Sequence, residues 1–87
     1  MTSEYLVPVR TLSIELSSEK VEIDTHGLMA LVKASGGDAL VLAPDSAEND
    51  DAFPISDGET FRFAGEIKVF AAKEQSCVLK IIYFDRA

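Results

Sequence analysis

Hydrophobic and polar residues alternate along most of this chain, and helical spacing is scarce. Leu12, Ile14 and Leu16 alternate with Ser13 and Glu15, and Val21 and Ile23 resume the pattern after Ser17-Ser18-Glu19-Lys20. A period of two is the signature of half-buried strands. Leu28 to Val32 is a continuous apolar run, too short for a stable helix, and predicts a strand covered on both faces. Gly36-Gly37-Asp38 tolerates positive φ, and Ala39 to Ala43 is apolar again, so Leu28–Ala34 and Ala39–Ala43 read as a hairpin.

Pro44 to Ala52 is a polar loop. Phe53 and Ile55 flank Pro54, which has no amide to donate, and this predicts a short edge strand. Ser56-Asp57-Gly58 is a turn. Phe61 and Phe63 alternate with Thr60 and Arg62, and the same odd-numbered parity carries on to Ile67, Val69 and Ala71. Gly65 in between allows either one long bent strand or a corner into a separate strand. After the polar turn Lys73-Glu74-Gln75-Ser76, Cys77 to Phe84 is the last strand. The sum is roughly seven to eight short strands in one all-β domain over residues 1–87. Such spacing predicts an antiparallel β-sandwich, jelly-roll-like, or a small barrel.

The chain has 87 residues, which leaves no room for a second domain. A domain this small buries only about 60% of its unfolded surface and usually needs a supplement to its core. Cys77 is the only cysteine, so no intrachain disulfide forms, and one His with one Cys cannot complete a structural zinc site. Association with a second subunit is the supplement left open. There are 15 acidic and 8 basic residues, a formal net charge of -7, and the basic residues are scattered singly; this argues against a nucleic-acid surface. No apolar run approaches the roughly 20 residues of a membrane span, and Met1 to Arg10 lacks the basic start and apolar stretch of a signal peptide. A cytoplasmic protein is expected.

Candidate chemistry is thin. The loop from Asp45 to Asp51 gathers Asp45, Glu48, Asp50 and Asp51, the residue type calcium prefers, but without the spacing of a calcium-binding hand; a solvated loop is the plainer reading. His26 has no nucleophile or orienting partner in sequence and reads as a surface turn residue. Cys77 shares parity with Leu79, Ile81 and Tyr83 and reads as a buried apolar cysteine. Gly36-Gly37 opens no helix and so makes no phosphate cradle. No catalytic residue, cofactor or metal is expected, and the chain does not read as an enzyme.

The informative feature is a surplus of apolar residues on both strand faces. With the odd set facing the core, Phe70, Ile82 and Phe84 form an outer patch that marks a protein contact, unless the fold covers that side itself. Tyr5, Leu6 and Val7 are also more apolar than a free tail needs. They pair as an edge strand within the subunit, or extend with the rest of residues 1–10 as an arm onto a neighbour.

The order of these elements over about Thr11 to Phe84, with the stretches Leu28 to Leu42 and Gly58-Glu59-Thr60-Phe61-Arg62-Phe63, resembles small β-rich accessory proteins of bacteriophages and prophages. The resemblance implies a virion component, in head decoration, head–tail joining or tail association, that is commonly oligomeric. The expected partners are thus copies of the chain or other virion proteins. Two other functions fit the pattern less well. A carbohydrate-binding module would want exposed aromatic platforms, and the chain has no Trp. An acidic inhibitor mimicking nucleic acid would want carboxylates spread along one face.

Overall fold

The computed structural model describes residues 6–46 and 51–86. Six strands form within them: β1 (Leu6–Leu16), β2 (Val21–Ser35), β3 (Ala39–Leu42), β4 (Phe53–Ile55), β5 (Thr60–Ala71) and β6 (Cys77–Arg86). They make one antiparallel sheet in the order β1-β6-β2-β5-β3-β4, which is not closed: β1 and β4 are its edges. The β4 segment around Pro54 lies at the edge, where a missing amide leaves no ladder bond unmade.

Two strands are longer than the sequence pattern suggests, which is why six strands replace the expected seven to eight. β2 unites the Val21–Ile23 pattern with the Leu28 run, and β5 runs through Gly65 without a break. Both change character at the same place. Asp24 pairs with Glu66 and Met29 pairs with Ala64, so residues 25–28 of β2 stand opposite Gly65 alone. Three extra residues on β2 reverse its parity. Ile23 and Thr25 are buried before the irregularity, and Ala30, Val32 and Ala34 after it, whereas β5 keeps one parity throughout. His26 (φ 51) and Gly27 (φ 85) on β2 and Gly65 (φ 101) on β5 all take positive φ here. The Gly65 amide donates to Thr25 Oγ1 at 2.8 Å. Thr25 is 1% exposed, the one polar side chain buried among the described residues.

The bend divides the ladder into two parts. On one side β1, β6, the second half of β2 and the first half of β5 lie together; on the other, the first half of β2, the second half of β5, β3 and β4. Both parts send side chains into a single core. Leu16, Ala30, Val32, Leu79 and Ile81 come from the first, and Ile23, Ile67, Val69, Ala39 and Ile55 from the second. The sheet is therefore folded over on itself, and a hydrogen bond from the Ala71 amide to the Ser17 carbonyl (2.7 Å) ties the end of β5 to the end of β1.

The hairpin expected between Leu28–Ala34 and Ala39–Ala43 does not form. Both ladder sides of β2 are occupied, by β6 and β5, so the chain crosses over and β3 pairs beyond β5. Gly36 takes φ 85 in this crossing, and its amide donates to Asp57 Oδ1 (3.0 Å). Gly37 is needed for a different reason: a Cβ there would run into the Ser76 carbonyl oxygen. Asp38 finishes the connection, its amide donating to Gln75 Oε1 (2.8 Å) while its own Oδ1 accepts the Asp57 amide (2.9 Å).

Candidate functional site

In the β1–β6–β2–β5 half, residues facing away from the core follow from the register in ordered rows. One row is Ser13, Lys80, Lys33 and Thr60; the next is Thr11, Ile82, Leu31 and Arg62; the third runs through Pro8, Phe84, Met29 and Ala64. An antiparallel sheet with one side in water normally shows polar residues there. Here the centre of the outer side is apolar: Met29, Leu31, Ile82 and Phe84 are half-buried by one another, with no layer over them among the described residues. This corrects the expectation that the run from Leu28 to Val32 is covered on both faces. Ala30 and Val32 are enclosed, and Met29 and Leu31 are not.

The charged residues of these three rows are all basic, and Glu15 of β1 lies one row further on. Lys33 and Lys80 are direct cross-strand partners on the two central strands, and Arg62 stands beside Leu31. Like charges in this position oppose sheet formation by a few tenths of a kcal/mol to about 1 kcal/mol. None of the three makes an ion pair among the described residues. A groove of about 420 Å³ runs along the first two rows between Ser13, Leu31, Lys33, Thr60, Lys80 and Ile82. A smaller notch of about 140 Å³, lined by Leu6, Met29, Leu31, Arg62 and Phe84, lies further along.

The outer side of the other half is different. Near β3 it is covered: the segment leaving β3 turns back so that Lys68 Nζ reaches the Ser46 carbonyl (3.4 Å), and Leu42 is 1% exposed. Phe70, cross-strand from Leu40, is buried here at 4% exposure, with the Lys20 ammonium 5.9 Å from its ring centroid. Phe70 is thus no part of an exposed patch, contrary to the sequence expectation. It shares β5 with the groove residues, but on the far side of the Gly65 bend, where the fold supplies its own cover. Away from β3 this side is acidic. Asp24 and Glu66 are direct cross-strand partners, Glu22 faces Lys68, and these residues with His26 and Pro44 line a concavity of about 440 Å³.

Of the other residues singled out from sequence, Ile82 and Phe84 lie together on the apolar rows. Leu6 and Val7 are exposed on β1, paired with Arg86 and Asp85 of β6, so this segment is an edge strand of its own subunit from Leu6 onward. Tyr5 lies outside the described residues. Asp45 and Asp51 are exposed, and Glu48 and Asp50 lie outside the described residues; among those described, no three potential ligands gather around a point. His26 is exposed within the β2 irregularity, where its amide donates to Asp24 Oδ1 (2.8 Å). Cys77 is buried in the core. Sequence reasoning missed Met29, Leu31, Lys33, Lys80 and Arg62 as members of one surface. The parity reversal in β2 hid the first three, since nothing in the pattern shows that three residues are looped out.

Comparison with known proteins bears on the fold alone. The chain is similar to a de novo designed double-stranded β-helix solved in solution by NMR, at a TM-score of 0.66 and 14% identity over 88% of this chain and 100% of that one. No family model and no curated protein matches the sequence. The likeness fits a folded-over antiparallel sheet and says nothing of activity. Among the described residues no helix is long and apolar enough to cross a membrane.

Proposed function

We propose that this chain is a non-enzymatic interaction module that associates with copies of itself through the outer side of the β1–β6–β2–β5 half. The observation that carries the reading is the apolar quartet Met29, Leu31, Ile82 and Phe84 on the central strands, where water would otherwise lie. A contiguous apolar patch rimmed by polar residues marks a contact surface. A small domain without a disulfide also gains most from a partner.

In finer detail we read the folded-over sheet as a jelly-roll-like β-sandwich. The shared core, the Ala71–Ser17 hydrogen bond and the likeness to a designed β-helix support that reading. A virion accessory role is the setting the sequence resemblance implies. A self-associating β module suits it, and the resemblance is its whole support.

Sedimentation velocity over a rising concentration series tests the function. The sedimentation coefficient is expected to climb with concentration, and to stay at the monomer value when Leu31→Ser and Ile82→Ser are combined in a folded variant. A native chain that remains monomeric at the highest concentration reached contradicts the proposal.

A further inference from the structure

The two outer sides of the folded sheet carry like-charge cross-strand pairs of opposite sign: Lys33 with Lys80 on one, Asp24 with Glu66 on the other. Each pair is unfavourable within its own subunit. Neither lysine has an ion-pair partner among the described residues, and Glu66 has none either. Among the described residues Asp24 accepts the neighbouring His26 amide, with His26 Nδ1 at 3.7 Å. Because both halves turn their apolar sides to one core, the two charged sides point in opposite directions.

We propose that the basic outer side of one copy docks on the acidic outer side of the next, so that copies stack head to tail. This rests on the self-association proposed above and names its geometry. Lys33 and Lys80 stand on long flexible stems that reach from the groove into the concavity of about 440 Å³, where Glu22, Asp24 and Glu66 outnumber the single lysine, Lys68, whose ammonium is turned to the Ser46 carbonyl. Leu31 and Ile82 beside them are then shielded from water. Two copies joined basic side to basic side would bring four lysines toward one contact, so the charge pattern opposes that mode. A contact between different patches closes on itself only if the rotation permits, and otherwise extends as a filament. Four strands spaced about 4.8 Å apart and rows about 6.8 Å apart give a patch of only roughly 300 Å² per copy, well below a stable dimer interface. The association is accordingly weak, concentration-dependent and sensitive to salt.

The test uses the full chain in three forms at matched high concentration: native, Lys33→Glu with Lys80→Glu, and Asp24→Lys with Glu66→Lys. The first variant then has two acidic sides and the second two basic ones. Circular dichroism and urea unfolding establish that each is folded, and Lys33→Gln with Lys80→Gln serves as a milder substitute for a variant that is not. The expected result is that each variant alone sediments as a monomer, with at least a tenfold loss of apparent association. Mixed in equal amounts, the two reversals recover the heavier species, and added salt disperses both that species and the native one. Native-like association of either variant alone overturns the head-to-tail geometry while leaving self-association standing. Failure of the mixture to recover overturns it equally, and so does native association indifferent to salt. A native chain that never associates overturns both this geometry and the self-association on which it rests. Binding of the native basic side to a polyanion such as heparin, with no self-association, has that same meaning.

Discussion

Replacing Gly65 by alanine isolates the bend on which the architecture turns. Gly65 has φ 101, well past the left-handed well near +57° that other residues can reach. No atom lies within 4 Å of where the added Cβ would stand, so the substitution introduces no collision and its cost is purely that of the backbone. Holding a non-glycine residue in such a region costs of order 1–3 kcal/mol. Alanine offsets about 0.4–1 kcal/mol of this by narrowing the unfolded ensemble. A net loss centred near about 1.3 kcal/mol and reaching about 2.6 kcal/mol follows, which for a domain of this size lowers Tm by roughly 5–20 °C. Urea unfolding followed by circular dichroism measures it, with the slope unchanged if the unfolded state is unaffected. Ala64→Gly at the adjoining exposed position is the control, expected to cost about 0.5–1 kcal/mol for the opposite reason. Gly65→Ala that proves stabilising refutes the positive φ, and with it the bend that turns the two halves toward one core.

The other predictions concern the same framework. Thr25→Val keeps the shape of the side chain but removes the acceptor of the exposed Gly65 amide, and is expected to lose about 0.5–1.5 kcal/mol in urea unfolding. Leu79→Ala empties a site that is 0% exposed and is expected to cost about 2–5 kcal/mol, enough to leave much of so small a domain unfolded in a thermal melt. Gly37→Ala is expected to lower Tm as well, through collision with the backbone at Ser76 and not through φ; Gly37→Ser should be no better tolerated, since the clash begins at Cβ.

The period-two pattern read the strands from the sequence where alternation is clean. Leu12, Ile14 and Leu16 face the core as their parity requires, and so do Cys77, Leu79, Ile81 and Tyr83. The Gly65 question was open because glycine permits both outcomes, and only pairing with β2 decides it. What the sequence hides is pairing between distant segments. Gly36-Gly37-Asp38 is chemically suited to a tight hairpin, yet β2 already has neighbours on both sides, so the same residues serve a crossing instead. Local turn chemistry has no knowledge of that occupancy. The exposed surface was half legible for the same reason. Ile82 and Phe84 could be read from β6 alone, whereas Leu31 and Lys33 join them only through a register that no single strand encodes. Phe70 has the right parity and the wrong half of the sheet.

The most direct measurement of the central claim is a concentration series of backbone amide NMR spectra of the native chain. Stacking through the two charged sides predicts shifts that grow with concentration and cluster at Met29, Leu31, Lys33, Lys80 and Ile82 on one side and at Glu22, Asp24 and Glu66 on the other. Shifts confined to the open edge of β1 from Thr11 to Leu16, or spectra that do not change with concentration, contradict it.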